Sequence, residues 1–579
     1  MSQEIQNSTS SVRTCQNSGI SKYCQGEFVI EPDDFVFYDK IKVPPPTFCP
    51  ECRMQRRFAF RNPSNIFKTI DAFSKKEIFS LIPNEAEVNV VTNEEWFSDS
   101  WDGIEYGVEV DFTRPFLEQV FELHKKSPIV GLNVNRIVNS PYAGNANDLK
   151  NCYLVFGAGF NEDCMYSVGI HNSKNCLDGL EIYKSENCYG CFNITECNKA
   201  YFSQECIQCV DVWFSRNCVG CMDCFGCVNL RNKQYYIFNK QYSREDYFAE
   251  LEKMNLNNYS SLKKQQTQAK DFWKKFPKKY IQGIKNINSS GSYITKSKNV
   301  QKSWIVENGE DMKYVQFVVN QPSRDCYDIS VWGYGCELAY EFSSCGHGVF
   351  NSKFIVDCWP NIRDTEYSLH CSSVSNCFGC SGLRNKEYCI LNKQYSKEEY
   401  FELVERIKKH MDEMPYADKK GRVYKYGEFF PIEFSWYGYN NTLGQELLPV
   451  NKEEADENGY PWYELSRGVY KFDITKGNLF ENIKDVDVDI VTKIIECEDC
   501  RNAYKILENE FNFLKQNNLP LPRSCFNCRH KERLNQRVGV FLYERQCMNT
   551  NCEEKFLTGY NPDNLDIVYC EKCYQQEVY

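Results

Sequence analysis

The chain has 579 residues, a net charge of −11 and 15% aromatic residues, and its mean hydropathy is −0.57. This length exceeds what one hydrophobic core serves, so we expect roughly three to five structural units. The aromatic content predicts a folded chain rather than a disordered one, and the acidic charge argues against indiscriminate coating of nucleic acid.

Cysteine usage and the opening residues indicate the compartment. The 32 cysteines would suggest a disulfide framework only in a small secreted chain. The first residues, MSQEIQNSTSSVRT, contain no apolar leader, and no stretch approaches the roughly 18 apolar residues of a membrane span. The sequence therefore predicts reduced thiols, a cytoplasmic protein and no membrane contact.

Residues 1–62 are predicted to form a zinc ribbon. Cys49 and Cys52 form a Cys-x2-Cys turn after a proline-rich stretch, and Cys15 and Cys24 precede them with a wider x8 spacing. Paired cysteine turns present four thiolates to Zn²⁺ in a tetrahedron, at about 2.3 Å each. We therefore expect Cys15, Cys24, Cys49 and Cys52 to hold one structural zinc ion.

Residues 63–132 are predicted to be a mixed α/β linker region with one clear helix. Apolar residues recur there at helical spacing from Phe116 to His124. Thr113 precedes them and is the candidate N-cap.

A twelve-residue rhythm predicts a β-solenoid, array 1, over residues 133–240. From Asn151 it runs through seven units, and all twelve cysteines of this stretch occupy the second, fifth, eighth or eleventh position. A fixed period of this kind is typical of a repeat in which each unit packs only against its neighbours. A short coil encloses little volume, so inward residues must be compact, as Cys is.

The spacing is similar to that of beetle antifreeze solenoids, but their outer threonine face is absent. We therefore carry over the architecture and not ice binding. A coil of 24 residues, formed by units taken in pairs, is an alternative. The stacked coils would align the thiols in columns about 4.8 Å apart without requiring bonds between them.

Large apolar residues occupy the third position of most units. They are Tyr153, Met165, Leu177, Tyr189, Tyr201, Trp213 and Phe225. These side chains point outward if the second position points inward, and such a strip needs a cover. The cover is either the protein's own helices or a bound peptide, glycan or base.

Four cysteines near the end of array 1 invite an iron–sulfur interpretation. Cys218, Cys221, Cys224 and Cys227 are each separated by two residues, a spacing that ferredoxins also use. The repeat accounts for the same positions as adjacent inward slots. Buried thiols are the favoured interpretation, and a metal cluster or disulfides are the alternatives.

A helical, lysine-rich insertion is predicted at 241–283. Between Tyr259 and Lys302 there are eleven lysines and one acid. The aromatic residues interleaved with them make Lys263–Lys302 compatible with RNA or DNA contact, through phosphates and base stacking. A solvated helix face explains the same composition.

An internal duplication predicts a second solenoid, array 2, over 284–395. Residues 223–248 return as 376–401, at an offset of 153. Cys345, Cys358 and Cys371 fit the eighth slot if one-residue insertions separate the coils. Ser396 begins an S-x-x-E capping box, which predicts a capping helix at 396–415. Segment 416–492 is aromatic-rich, and its pattern predicts no particular fold.

Two further cysteine quartets predict zinc ribbons at 493–545 and 546–579. The ligands are Cys497, Cys500, Cys525 and Cys528 in one and Cys547, Cys552, Cys570 and Cys573 in the other. Four thiolates close the coordination sphere, so all three zinc ions should be structural. Each would contribute folding energy on the order of 10 kcal/mol. VPPPTFCPECRMQRR also parallels LPLPRSCFNCRHKER, which indicates two copies of one ribbon.

Basic residues follow both of these cysteine turns. They are Arg53, Arg56, Arg57 and Arg61 after the first, and Arg529, Lys531, Arg533 and Arg537 after the second. They either contact nucleic acid or pair with local carboxylates. The histidines and acids form no spacing that isolates a catalytic pair, so binding is expected more than catalysis.

The strings EFVIEPDDFVFYDKIKVPPPTFCPECR and IVYCEKCYQQEVY carry a family resemblance. The chain resembles the Cys-rich zinc-ribbon proteins of ultra-small candidate bacteria, some of which carry a CoA-transferase (CaiB/BaiF) label. The resemblance implies zinc ribbons at both ends and names no activity. A CoA-transferase needs a large α/β domain, for which a Cys-laddered solenoid leaves no room.

The sequence therefore predicts a mainly β protein of Cys-laddered β-solenoid arrays with terminal zinc ribbons and short capping helices. Its expected role is that of a zinc-stabilised, non-catalytic scaffold or binding protein, with an unidentified protein or nucleic acid as partner. A nucleic-acid- or ribosome-associated zinc-ribbon protein is one alternative. A redox or iron–sulfur protein that uses the solenoid thiols is the other.

Overall fold

The computed structural model describes residues 10–318, 322–331, 333, 335–344, 346–464 and 468–578. The chain is a mainly β protein built on Cys-lined solenoid coils, as predicted. Cys345, expected in an eighth slot, lies outside the described residues. No helix in the described ranges combines the length and apolar character needed to cross a bilayer.

Array 1 is a stack of parallel strands that begins at Val134. Its strands are Val134–Val138, Ala143–Lys150, Tyr153–Glu162, Met165–His171, Leu180–Tyr183, Phe192–Thr195, Asn198–Tyr201, Val210–Trp213, Met222–Phe225 and Gln234–Ile237. Strand partners are twelve residues apart, as in Val155 with Ser167 and Val212 with Cys224. A 24-residue coil would pair residues 24 apart, so that alternative is wrong.

The coils of array 1 bend at every third residue. In one unit the bends are Asn175, Asp178, Glu181 and Lys184, with φ of 51°, 53°, 56° and 48°. Each inward slot follows directly after a bend, which is why four slots per unit are buried. Asn and Asp tolerate the left-handed region better than most residues. This tolerance explains their frequency at the first position.

The inward thiols satisfy backbone carbonyls as well as filling space. Cys176 donates from its Sγ to the carbonyl two residues earlier, at 3.3 Å, and faces the carbonyl nine residues later at 3.5 Å. The hydroxyl of Ser203 lies within donating distance of the two corresponding carbonyls, at 3.1 and 3.3 Å. Cys and Ser therefore interchange in these slots because both are small and both donate.

Array 2 has the same construction with a less regular period. Its strands are Gly291–Thr295, Lys298–Gln301, Ser303–Glu307, Gly309–Lys313, Gln316–Val318, Ser323–Tyr327, Val349–Phe350, Ile362–Arg363, Ser375–Phe378 and Glu387–Ile390. Partners are twelve residues apart at Val300 and Met312, fourteen at Met312 and Cys326, and thirteen at Val356 and Leu369. Insertions between coils thus account for the noisier repeat.

The helices lie outside the two arrays. In chain order they are α1 (Pro32–Lys40), α2 (Pro50–Phe58), α3 (Asn93–Trp96), α4 (Phe116–Lys126), α5 (Arg244–Lys253), α6 (Tyr259–Trp273), α7 (Lys397–Glu413), α8 (Leu443–Leu447), α9 (Lys452–Asn458), α10 (Glu508–Gln516), α11 (Phe526–Leu534) and α12 (Glu571–Val578). Ser396 caps α7 with the expected capping box. Thr113 as N-cap of α4 is wrong: Pro115 holds that position, and Thr113 donates to the Asp111 carboxylate instead.

Each array ends in the same closing unit. The strands Lys240–Gln241 and Lys393–Gln394 fold back antiparallel onto the last coil, and α5 and α7 follow them. This antiparallel return pairs the open edge of the last strand, which would otherwise be a template for association.

Short two-stranded sheets complete the chain. They pair Ser11–Thr14 with Glu27–Ile30, Phe67–Ile70 with Glu77–Ser80, Asn89–Val91 with Pro128–Val130, Lys278–Lys279 with Val568–Tyr569, Tyr416–Ala417 with Val423–Tyr424, Ile495–Glu496 with Ala503–Tyr504, and Tyr543–Gln546 with Lys555–Thr558. In its described residues, segment 416–492 otherwise contains α8, α9 and 3₁₀ turns at Ile432–Phe434, Tyr439–Asn441, Ile483–Asp485 and Val488–Thr492. Its aromatic rings, such as Phe430 and Trp436, enter the core shared with α4 and array 2.

The third-position strip of array 1 is covered by the protein's own helices. Tyr189 and Tyr201 are buried, and α10 lies over them. The Phe513 ring is 6.1 Å from the Tyr189 ring, and Tyr201 donates its hydroxyl to the Asn517 side chain at 2.8 Å. Of the two covers considered, the internal one is therefore present.

The role of the thiols as donors to backbone carbonyls can be tested at Cys197. This residue is buried, and its single S–H lies within reach of two backbone carbonyls, at 3.4 and 3.5 Å from Sγ. Cys197→Ser keeps the size and the donor, so we expect it to change the free energy of unfolding by less than about 1 kcal/mol. Cys197→Phe overfills the coil and should cost about 1–3 kcal/mol. Urea unfolding measures both, and equal losses would contradict the role.

Buried histidines make stability depend on pH. The His124 and His370 rings stack at 5.4 Å, and burial lowers the pKa of His124 well below its usual value and the pKa of His370 to about 3. Both stay neutral in the folded chain, whereas the unfolded chain protonates them below a pH of about 6.5. The contribution of these two histidines to stability is therefore lost as the pH falls through that value.

We expect His124 and His370 each to contribute a drop of roughly 1 kcal/mol in the free energy of unfolding between pH 7 and pH 5.5. Buried carboxylates with a raised pKa, such as Glu341, act in the opposite direction over this range. Urea unfolding at the two pH values measures the drop. His370→Gln should lose the share of the pH dependence that His370 contributes, so wild type and this variant should differ in the change between the two pH values. The same pH dependence in wild type and His370→Gln would contradict the assignment.

Candidate metal centres and the helices they position

The twelve cysteines predicted to bind metal come together in three groups of four. Their membership is as expected: Cys15, Cys24, Cys49, Cys52; Cys497, Cys500, Cys525, Cys528; and Cys547, Cys552, Cys570, Cys573. Within each group the four Sγ atoms lie within 4.8 Å of one another. Among the described residues these are the only groups of three or more Cys, His or acidic ligand atoms this close. Each group could hold a metal ion.

The sulfur separations fit a tetrahedral ion. Four sulfurs at about 2.3 Å from one centre lie about 3.8 Å apart. The Sγ atoms of Cys497 and Cys528 are 3.8 Å apart, and those of Cys552 and Cys570 are also 3.8 Å apart. In the N-terminal group, Cys24 and Cys49 are separated by 4.0 Å.

Local backbone geometry builds each group. Cys49 and Cys525 are the N-caps of α2 and α11, so each Cys-x2-Cys turn leads directly into a helix. Backbone N–H groups donate to the sulfurs, as from Cys49 to Cys15 at 3.2 Å and from Cys525 to Cys497 at 3.2 Å. Such donors favour the thiolate form that a metal requires.

Crowding of the four thiols opposes that form until a cation is present. The hydrogen bond with Cys49 raises the pKa of Cys24 to about 12, and burial raises the pKa of Cys525 to about 12. By contrast, the backbone N–H of Glu554 lowers the pKa of Cys552. A divalent cation at the centre would offset the repulsion among the thiolates.

The first ribbon, residues 1–62, places two arginines against array 2. Arg53 and Arg57 follow the second cysteine turn on α2, and both side chains are at most 1% exposed. Their guanidinium groups lie 2.9 and 3.4 Å from the carboxylate of Asp328. Arg53 also lies over the ring of Tyr314 in the preceding coil, at 5.4 Å.

The second ribbon, residues 493–545, places two arginines against array 1 in the same way. Arg529 and Arg533 lie on α11, 2.9 and 3.2 Å from the buried carboxylate of Asp178. Arg529 also pairs with Glu510 at 2.9 Å and lies over the ring of Tyr166 at 4.9 Å. The arginines of both ribbons thus pair with carboxylates in the protein interior.

The two aspartates occupy equivalent positions of the two arrays. Each stands two residues after a buried inward cysteine, Cys176 in array 1 and Cys326 in array 2. When strand pairing is followed from each coil to the next, Cys176 corresponds to Cys224 four coils later. Cys326 likewise corresponds to Cys377 four coils later. Cys224 and Cys377 are equivalent in the internal duplication. The ribbon and array therefore form the same interface twice.

Further carboxylates surround the arginines of the first ribbon. Arg56 pairs with Glu341 and with Glu428, the latter at 3.0 Å. Arg57 lies 3.6 Å from the second oxygen of Glu341. Burial raises the pKa of Glu341 to about 7, and the arginines oppose this shift. The cluster is therefore held by mutual charge compensation away from water.

Sequence reasoning missed the acidic half of these clusters. Asp178 and Asp328 are two among many acidic residues, and each occupies a bend where Asp is common. Two features of the sequence could have predicted these ion pairs. One is an acidic residue next to a strip of large apolar side chains, and the other is the Arg-x3-Arg spacing, which places two guanidinium groups on one helix face.

The lysine-rich insertion makes ion pairs with the C-terminal ribbons. Lys270 on α6 lies 3.3 Å from Glu532 on α11. Lys278 lies 2.6 Å from Asp566 of the last ribbon, within a two-stranded parallel pairing of these segments. Part of the basic charge in this stretch is thus paired with neighbouring acids.

Breaking one buried ion pair should be costly. Asp328→Ala leaves Arg53 and Arg57 buried without their shared carboxylate, and we expect it to lower the free energy of unfolding by about 3–5 kcal/mol. Urea unfolding measures the loss. Glu77→Ala is the matched control, since the side chains of Glu77 and Lys68 are 59% and 63% exposed and such a surface pair contributes little to stability. A similar loss in both variants would contradict the proposed role of the aspartate.

Comparison with known proteins adds no family to this description. No protein-family model matches the chain, and no curated protein matches it. The resemblance to Cys-rich zinc-ribbon proteins therefore stays a prediction from the sequence.

Proposed function

We propose that this protein is a zinc-stabilised, non-catalytic scaffold or binding protein. The observation that carries the proposal is the set of three tetra-cysteine groups with sulfur separations near those of a tetrahedral ion. Two of these groups start the helices whose arginines dock in the arrays. Metal binding would therefore support the assembly of the whole chain.

The ligand set favours zinc in a structural role. Four cysteine sulfurs in a tetrahedron suit Zn²⁺ or an iron–sulfur centre, and oxygen-preferring ions are poorly matched. Four protein ligands leave no open position for water or substrate, so the ion would supply folding energy and no chemistry. Nothing in this arrangement requires a reaction.

Reduced thiols support a cytoplasmic location. None of the 31 cysteines in the described ranges is in a disulfide, and disulfides are rare where glutathione and thioredoxin keep thiols reduced. The thiols of the arrays are buried and donate to backbone carbonyls. We therefore place them among the packing residues and rank the redox or iron–sulfur alternative last.

A nucleic-acid- or ribosome-associated role is the second proposal. Lys263–Lys302 remains the stretch best suited to phosphate contact. Its ranking is lower because Lys270 and Lys278 pair with acids of the chain and because the ribbon arginines are buried.

Metal content tests the proposal. Protein purified under reducing, oxygen-free conditions should contain three zinc ions per chain and no stoichiometric iron, as measured by mass spectrometry of the metals. Cys24→Ser, Cys500→Ser and Cys573→Ser should each remove one zinc ion, because a site that loses one of four thiolates binds more weakly.

Cys206→Ser is the matched control, since this buried cysteine lies inside array 1 and should leave the zinc content at three. Stoichiometric iron with absorbance near 400 nm would instead favour the cluster alternative. Protein that folds and remains monodisperse without any bound metal would overturn the proposal.

A further inference from the structure

Each ribbon covers the array that does not adjoin it in the sequence. The first ribbon precedes array 1 in the chain, yet its Arg53 docks on Asp328 of array 2. The second ribbon follows array 2, yet its Arg529 docks on Asp178 of array 1. The two interfaces are equivalent, and exchanging an identical element between copies of a chain is a low-cost route to a dimer.

We propose that the docking surface on each array is a receptor for a Cys-x2-Cys-Arg-x3-Arg ribbon helix, and that a second copy of this chain can supply that helix when zinc is lost and regained. The inference rests on the zinc ribbons proposed above. It goes further, because it states which molecule supplies the ribbon that fills the receptor.

The receptor has the same parts in both arrays. A buried aspartate, Asp178 or Asp328, receives two guanidinium groups, and a tyrosine ring one coil earlier, Tyr166 or Tyr314, lies under the first of them. The charge of the pocket is opposite to that of the helix. This complementarity decides which surface the ribbon selects.

Aromatic contacts extend the receptor beyond the ion pairs. In array 2 the Tyr327 ring stacks on Phe37 of α1 at 3.8 Å, and the Tyr340 ring meets Tyr38 edge-on at 5.2 Å. In array 1 the Tyr189 ring meets Phe513 of α10 at 6.1 Å. The helix before the cysteine turn thus covers the strip, and the helix after it supplies the arginines.

Zinc controls whether a ribbon can dock. The helices α2 and α11 have nine residues each, and isolated helices this short are marginal in water. The metal holds the cysteine turn from which each helix starts and so fixes where its arginines point. Without it, the aspartate and the aromatic strip lose their cover and are free to accept another ribbon.

Because each ribbon is covalently joined to its own array, docking within one chain is favoured in dilute solution. A tethered ribbon has an effective concentration on the order of millimolar at its own array. Exchange between copies therefore needs zinc to be restored while the protein is concentrated. Once formed, the exchanged pair should persist, because releasing a ribbon would break its ion pairs with the aspartate and uncover the aromatic strip.

The experiment uses isotope labelling to follow one exposed contact between the first ribbon and array 2. Lys40 of α1 lies 3.4 Å from Asp325 of array 2, with both side chains accessible at 50% and 38%. Full-length chains labelled with ¹⁴N and ¹⁵N are stripped of zinc with a chelator in reductant and mixed. Zinc is then restored, and a zero-length carbodiimide joins the amine to the carboxylate.

Exchange predicts Lys40–Asp325 cross-links in which one peptide is light and the other heavy. Such mixed pairs should be at least tenfold more frequent after zinc is restored at ~300 µM than at ~3 µM, because pairing between copies is second order in protein. They should occur in a species of about twice the 67.9 kDa chain mass. Lys68–Glu77, within one hairpin at 2.7 Å, is the matched control and should stay unmixed.

Mixed Lys40–Asp325 pairs no more frequent than mixed Lys68–Glu77 pairs would overturn the proposal. Mixed pairs that persist in the variant Arg53→Gln, Arg57→Gln would overturn the receptor as described, and this variant keeps all twelve metal ligands. Chains that regain three zinc ions without mixing contradict exchange alone. Chains that fold again without taking up zinc contradict the proposed function and the exchange together.

Discussion

A buried carboxylate on the outer surface of each array decides where the ribbons lie. Asp178 and Asp328 are almost completely buried, so each needs compensating charge. Two arginines one helical turn apart supply it, and they can do so only from a helix that crosses the array at this coil. The aromatic contacts and the covering of the apolar strip follow from that placement.

The cysteines perform two unrelated tasks in this chain. In the arrays, a coil of twelve residues leaves room only for compact side chains, and the thiol also donates to inward carbonyls, as at Cys176. In the ribbons, four thiols converge with backbone donors around a central position, as at Cys497 and Cys525. Periodic spacing marks the first task, and paired turns mark the second.

Sequence alone predicted the features that depend on neighbours along the chain. The inward slots repeat every twelve residues, and the ligands of each quartet lie in paired turns, so both could be read locally. The crossed docking of the ribbons could not, because it joins Arg53 to a residue 275 positions away. Thr113 was misplaced as a helix cap because Asp111 bonds it and the helix starts after Pro115.

Crossing makes one cooperative unit out of two similar halves. If each ribbon covered its own neighbouring array, either half could open by itself. Here the loss of the first ribbon exposes the charge of Asp328 in the second array, and loss of the second ribbon exposes Asp178 in the first. Any ion bound by one quartet would therefore stabilise an array encoded in the other half of the chain, so metal binding and array packing are coupled across the full length.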